Sequence, residues 1–464
     1  MKQIGQRKTF YKKFFFVAIP IAMQQLLKAL MYFIDNIMIG SLGENAIVGV
    51  GNANQIAFFI MILMLGICGT GWVFAARFNG EGDKAGIKRV LGVCLVGTLI
   101  VGALFFILSV SIPQSLIGIF NPLPGVKQSG GDYLRIVGIS YVFMAISLSY
   151  ANVLKGCQKT WLPMVASGIA IVVNAFLNYV LIFGKLGFPE MGVQGAAIGT
   201  AVGAFIDAAL LIIISNIKKN EVAGSPKRLF PLHMHMWRFV RQFIKVGMPM
   251  MINELLWALS VMVMVVIYNR MGLEVAAAMA VFSALERMAF VVYIGIAHSS
   301  GVMVGNQLGE GRPDRAYEYG KRFLKIAPIS TIVVGGLVIL ALPLFLAQYD
   351  IQGETLAITR NVVYTFTAVA WLMTINFTNI VGVLRGGGDT RFAMIVDLAG
   401  SWVISIPVAI VAGLVFAWPA YIVYVCAIVS GDIFKLILGL RRFVSKKWIH
   451  DITSAISSVS TLEH

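Results

Sequence analysis

The sequence predicts an all-α polytopic membrane protein: twelve transmembrane helices arranged as two pseudo-symmetric six-helix lobes. Three observations lead there. Hydrophobic residues make up 58% of the 464 residues and charged residues only 12%, with a mean hydropathy of +0.84. A soluble domain carries about 25% charge, so this chain has too few charges to clothe itself against water, and its apolar surface must face lipid. Apolar runs long enough to cross a bilayer recur along the whole chain, and the second half of the chain repeats the first.

The predicted spans cover 14–39, 47–76, 90–112, 132–154, 161–183, 194–216, 242–269, 276–304, 323–346, 357–384, 391–415 and 418–440. Most reach the roughly 20 residues that a helix needs to cross the hydrocarbon core. The first is too long for a cleavable signal, carries Asp35, and is followed by no small-residue cleavage pattern.

Basic residues orient the spans. Of the 37 Lys and Arg, 29 fall on one set of connections, from Lys12 and Lys13 before the first span to Arg441 and Arg442 after the last. The other side holds five: Lys127, Arg135, Lys185, Arg270 and Arg360. Positive residues stay inside, so both termini are expected in the cytoplasm and the protein in the cell (inner) membrane, multi-pass. The net charge of +16 is then a property of the cytoplasmic face and implies the lipid bilayer, with no nucleic acid, as partner. Cys68, Cys94, Cys157 and Cys426 form no CxxC pair, and His233 and His235 sit in a basic loop. Neither a disulfide framework nor a resident metal is indicated. Leu462-Glu463-His464 reads as a cloning remnant.

The internal repeat runs at an offset of about 229–231. Ile19-Pro20 opens a run with Gln24, Gln25, Leu26 and Leu27; Met248-Pro249 opens its match with Asn253, Glu254, Leu255 and Leu256. GEGDKA at 80–85 answers GEGRPDRA at 309–316, and LKGCQKTWLPM at 154–164 answers LRGGGDTRFAM at 384–394. Six spans per half, an even number, make the repeat parallel, about an axis along the membrane normal. The expected organisation is an N-terminal lobe at 10–216, a cytoplasmic interlobe linker at 217–241 with Pro226 and Pro231, a C-terminal lobe at 242–445, and a cytoplasmic tail at 446–464.

These motifs carry a resemblance. Asp35 followed by IMIGSLG at 37–43, ARFNGEGD at 76–83, the run NAFLNYVLIFGKLGFPEMGVQGAAIGT at 174–200, VGNQLGEGRPDRA at 304–316 and LRGGGDTR at 384–391 resemble multidrug and toxic compound extrusion (MATE) transporters. That family lies within the multidrug/oligosaccharidyl-lipid/polysaccharide flippase superfamily. The resemblance covers about 10–445 and implies two lobes forming a V-shaped cleft, with substrate exchanged between sides by rocking. It also implies an acid in the first helix and Asn-x-x-Leu-[Asp or Asn] in the fifth. Asn178 fills the last position, so the site holds one carboxylate rather than two. The tenth-helix acid of some members is replaced by Thr374 and Asn376.

Ionisable residues inside spans are costly and point to function. They are Asp35, Asp207, Glu254, Glu286, Asp397 and Asp432, with Lys28, Arg287 and Lys435. Gln24, Lys28 and Asp35 share a helix face, and Asn174 and Asn178 share another. An acid with amide oxygens suits a desolvated sodium ion or a proton-switched network. Asp35, Asn174, Asn178 and Thr200 are therefore the expected ion-coupling set, with H+ or Na+ as the coupling ion, no cofactor, and only a transient Na+ at the first three. A Lys28–Asp35 pair that closes the lobe is the competing account. Glu254, Glu286, Asn376, Asn379 and Asp397 form the expected polar cluster of the C-terminal lobe, with Arg287 available to neutralise Glu254 or Asp397; Asp207, Asp432 and Lys435 read as structural. Gln24, Lys28, Tyr32, Trp257 and Met264 are the expected substrate-cleft residues, where aromatic faces, a carboxylate and polarisable Met suit cationic lipophilic small molecules.

No Walker loop, HExxH or GxSxG occurs, so the chain reads as no enzyme. The predicted function is secondary active efflux of lipophilic organic cations by proton- or sodium-coupled antiport, by a monomer. The alternative is a lipid-linked oligosaccharide or other lipid flippase of the same superfamily. Six acids against three bases inside the spans favour cationic cargo.

Overall fold

The computed structural model describes residues 2–224, 234–349 and 351–453; side chains are described from Thr9 onward and, in the second segment, from Trp237. Among the described residues eleven helices are long and apolar enough to cross a membrane, and one bent pair taken as a single span makes a twelfth. In order they are α1 (Lys2–Gly40), α2 (Glu44–Glu81), α3 (Lys84–Ser111), the short α4 (Pro113–Gly118), α5 (Pro124–Val137), α6 (Ser140–Gly156), α7 (Trp161–Ile182) and α8 (Gly192–Ile217). There follow α9 (Met234–Arg270), α10 (Leu273–Gly309), α11 (Pro313–Leu346), α12 (Gly353–Phe377), α13 (Thr390–Leu398), α14 (Ile406–Ile410) and α15 (Ala420–Val444). Of the expected linker, 225–233 lie outside the described residues, and so do Pro226, Pro231 and His233. So do 454–464, with the expected remnant.

The repeated GEG motifs are helix punctuation. Gly82 ends α2 in the left-handed conformation (φ 78°), which a residue with a Cβ rarely adopts. Asp83 then caps α3, its carboxylate accepting from Gly86 N at 2.8 Å. In the second half Gly311 (φ 69°) takes the same conformation and Pro313 opens α11 at its first turn. Each turn leaves no slack between two spans.

The fourth span departs from expectation. It begins earlier, at Pro124, and bends by 51° between α5 and α6. Gly138 lies against α3, where a Cβ would come 2.8 Å from Ser109 Cβ. Around it Tyr141 N bonds Gly138 O and Val142 N bonds Ile139 O, a tight i→i+3 pattern that breaks the α-helical ladder. Spans 10 and 11 carry π-helical stretches at Thr378–Leu384, Ala399–Ser405 and Val411–Val415.

The chain forms two compact units, Met23–Phe243 and Met1–Ala22 with Ile244–His464. The first unit has a core of Ile60, Met64, Ile117, Leu134 and Tyr141. The second centres on Phe282, Val362, Phe366 and Tyr424, with Phe282 edge-on to both Phe366 and Tyr424 at 5.4 and 5.3 Å between ring centres. Phe10, Phe14 and Ala18, counted above with the N-terminal lobe, pack against Ile296, Met303 and Phe323 of this second unit. The outer faces are apolar: Ile332, Leu340 and Val403 stand fully out from their helices. That is a lipid-facing surface, and the chain is a multi-pass membrane protein.

In each unit the segment after its last span folds back on the loop after its fourth. Lys159 pairs with Glu221, Lys218 lies over the Trp161 ring at 4.0 Å, and Val222 is fully buried. In the second unit His450 N donates to Gly387 O and Trp448 is fully buried, its indole N–H donating to Phe443 O at 3.0 Å.

Candidate functional site

In the first unit α1, α7 and α8 bring the polar residues together. Asn178 donates to Asp35 Oδ1 at 2.8 Å and lies 3.5 Å from Asn174 Oδ1. Asn174 and Asn178 are fully buried, while Asp35 is half-buried. Two glycines of α8 make the room: a Cβ on Gly199 would overlap Asn178 Oδ1, and one on Gly203 would come 3.1 Å from Asn174 Cβ. Asn178 Oδ1 and Asn174 Nδ2 are buried without a hydrogen-bond partner among the described residues. Buried polar groups are normally satisfied, so this constellation has spare capacity for an oxygen-seeking ligand or a proton. The Thr200 hydroxyl donates to Ala196 O at 3.0 Å, back onto its own helix, rather than to Asp35, Asn174 or Asn178.

The pair between Lys28 and Asp35 is not formed. Among the described residues Asp35 has no ion-pair partner, and Lys28 is exposed. Gln24 is buried and turns away from Asp35. Its side-chain amide donates to Ser167 Oγ at 2.9 Å and Pro163 O at 3.3 Å, and Ser167 in turn donates to Asp207 Oδ1 at 3.3 Å. Tyr32 is exposed.

In the second unit the expected cluster divides into separate pairings. Glu254 Oε1 is paired with Arg385 at 2.7 Å. Asp397 is paired with Lys435 at 2.8 Å and accepts from Asn253 Nδ2 at 3.0 Å. Lys435 also donates to Ser401 Oγ at 3.0 Å and stands 3.9 Å from Asp432, whose backbone carbonyl accepts from Asn376 at 2.7 Å. Glu286 accepts from the Tyr424 hydroxyl at 3.3 Å. Asn379 is buried with both amide atoms unpartnered among the described residues, beside Gly439. Arg287 neutralises neither Glu254 nor Asp397; it is exposed, and Arg385 and Lys435 take those roles. Trp257 is exposed, and Met264 packs half-buried against the unit's core.

The repeat relates these contacts. Gln24, Ser167 and Asp207 of the first unit correspond to Asn253, Asp397 and Lys435 of the second at offsets of 229, 230 and 228. Both units build the same three-member chain across the first, fifth and sixth helices, with different charges on it. The role of Lys435 was not legible from its own position; its offset from Asp207 is the signal that reveals it.

Comparisons with known proteins show what the chain is similar to. The MatE family model matches residues 20–180 and 249–411, more than half of the chain. The chain is similar to a probable multidrug resistance protein NorM of Thermotoga maritima, 26% identical over 93% of this chain and 92% of that one. It is also similar to an uncharacterized transporter YisQ of Bacillus subtilis, 26% identical over 97% of this chain and 99% of the relative. Among solved structures it resembles a MOP superfamily transporter from Pyrococcus furiosus (TM-score 0.82, 17% identity, 94% of this chain and 96% of that one). It resembles the eukaryotic MATE transporter AtDTX14 as well (TM-score 0.81, 18% identity, 97% of this chain and 99% of that one). At those identities the structural likenesses show a shared fold.

Proposed function

The chain belongs to the MatE family of membrane transporters, and on that premise we propose that it is a multidrug exporter. It moves lipophilic organic cations out of the cell in exchange for H+ or Na+, by alternating access of its two lobes, with both termini in the cytoplasm. The observation that carries this reading is Asp35. It is a carboxyl within a transmembrane helix, held at 2.8 Å by the buried Asn178 and left without an ion-pair partner among the described residues. An unpaired acid at membrane depth is costly unless it is protonated or meets a cation, so its occupancy is free to follow an ion gradient. With Asn174 and Asn178 it supplies oxygen atoms of the kind a hard cation requires. The exposed aromatic residues Tyr32 and Trp257 offer π faces to cationic cargo, and relatives bearing the name multidrug resistance protein support cargo of that breadth.

The deciding experiment is efflux of a cationic dye such as ethidium from vesicles holding the purified protein, under a proton gradient and a sodium gradient imposed separately. One of the two gradients is expected to drive efflux. No movement across a panel of cationic dyes under either gradient sinks the proposal.

A further inference from the structure

Lys435 is a buried ammonium within a nest of oxygen atoms. It touches Asp397 Oδ1 at 2.8 Å and Ser401 Oγ at 3.0 Å, with Asp432 Oδ1 at 3.9 Å. The side chains of Lys435, Asp397 and Asp432 are all largely buried. At the rim, Asn253 donates to Asp397 and Asn376 to the Asp432 carbonyl, while the amide oxygen of each is buried with no partner among the described residues. The fold is shaped around the lysine. A Cβ on Gly400 would come 2.5 Å from Lys435 Cε, and Gly431 brings α15 against the Gly400 carbonyl. Without the ammonium, the nest is two carboxylates and a hydroxyl, oxygen donors of the kind a small hard cation takes.

We propose that Lys435 is a tethered resident cation: it permanently fills a cation site of the second unit, at a different place in the repeat from the exchangeable site of Asp35 with Asn178 in the first unit. This rests on the reading of Asp35 given above. Of these two sites, only the one at Asp35 then exchanges its cation. A lysine anchored to its helix cannot leave, so the charge that varies at Asp35 is constant here. Removal of the ammonium leaves the two carboxylates uncompensated, and a small cation from solution takes its place. Arg385 is held by Glu254 at 2.7 Å, so it is not free to substitute.

The test counts bound sodium, with 22Na+ and the purified full chain, in an Asp35→Asn background. Wild type is expected to bind one Na+, Asp35→Asn none, Asp35→Asn/Lys435→Ala one, and Asp35→Asn/Lys435→Ala/Asp397→Asn none. Melting of the Asp35→Asn/Lys435→Ala chain should rise in NaCl over choline chloride, while Asp35→Asn alone should not respond. Where Lys435→Ala fails to fold, Lys435→Ala/Asp432→Asn, with a single carboxylate to compensate, decides the matter: sodium bound in the Asp35→Asn background supports the proposal. Folded variants that bind no sodium overturn it, and so does failure of both variants to fold in sodium as well as in choline. Absence of sodium binding by wild type overturns instead the reading of Asp35 as a sodium site. The gain on removal of Lys435 remains separately measurable.

Discussion

The two units share a helix plan and a three-contact polar chain, yet their charges are managed oppositely. In the first unit Asp35 is steadied by one amide and no base, and Asn174 and Asn178 keep unspent donor and acceptor atoms. In the second, Glu254 and Asp397 each have a base within 2.8 Å, supplied by Arg385 and Lys435. The position of Asp35 is taken there by Met264, which packs into the core. A buried acid with a fixed base is a permanent feature of the fold, because opening the pair strands a charge. A buried acid with only an amide partner changes state at little structural cost. Polarity alone therefore does not distinguish an exchangeable acid from a fixed one. Glu286, bonded to the Tyr424 hydroxyl, and Asp207, bonded to Ser167, also have no ion-pair partner among the described residues, and what sets Asp35 apart is the unspent amide atoms beside it.

The largest expected effect follows at once. Asp35→Asn keeps the shape and the hydrogen-bonding partner of Asp35 but removes its ability to exchange a proton or ion. Gradient-driven dye efflux should be lost while membrane insertion and melting stay near wild type. Efflux at the wild-type rate would return Asp35 to a structural role and erase the contrast between the units.

The opposite outcome is expected across the repeat. Arg385→Ala leaves Glu254 half-buried without its base. Breaking such a pair costs roughly 3–5 kcal/mol, so the melting temperature should fall sharply. Neutralising both partners, as Glu254→Gln/Arg385→Met, should restore much of it. If the single variant melts like wild type, the pair is no scaffold and the second unit is less fixed than the contrast requires.

A more selective probe is Gly199→Ala. The added methyl overlaps Asn178 Oδ1, the free end of a side chain, so Asn178 shifts and the bond to Asp35 weakens. Small misplacements at a working site cost up to about 10²-fold in rate, whereas the packing change is one methyl. Transport should drop well before stability does. Equal loss of both would mean that the Asn178–Asp35 bond is chiefly structural.

Why some of this is legible in the sequence and some is not has physical causes. The spans follow from apolar length, and the GEG turns from glycine's access to positive φ. The Asp35, Asn174 and Asn178 constellation is half legible, since i, i+4 spacing places the two amides on one face of α7 but does not say which helix that face meets. Thr200 misleads because a mid-helix hydroxyl can satisfy itself on its own backbone, as it does at Ala196. Arg385 and Asp397 are harder still. Arg385 follows the π-helical stretch Thr378–Leu384, and Asp397 precedes the stretch Ala399–Ser405. A π-bulge inserts one extra residue into a turn and so rotates the following faces by about 100°. A regular helical wheel drawn through the first stretch therefore misplaces Arg385, while Asp397 and Ser401, four residues apart, share a face but the wheel does not say that Lys435 of another helix meets it. Likewise the 51° bend of the fourth span arises from Gly138 meeting α3, a contact that no local pattern contains.

The smallest effect concerns the two segments that fold back on the loop after the fourth span of each unit. In the first unit the contact is ionic, Lys159 with Glu221, both partly exposed. In the second, Trp448 is buried over Gly387, where any Cβ would overlap the indole, and His450 adds a backbone bond to Gly387 O and stands 3.5 Å from Asp389. Exposed ion pairs contribute only about 0.2–1 kcal/mol, because water and salt already solvate the separated charges. Glu221→Ala should accordingly lower the melting temperature slightly, and the decrement should shrink further in high salt. Trp448→Ala, by contrast, removes a large buried ring, for which the cost is roughly 3–5 kcal/mol independent of salt. The pair of variants therefore asks whether two segments at equivalent places in a repeat are held by different forces. A Glu221→Ala loss as large as that of Trp448→Ala, and equally insensitive to salt, would show that the first segment is anchored by buried Val222 and its neighbours, with the ion pair merely accompanying them.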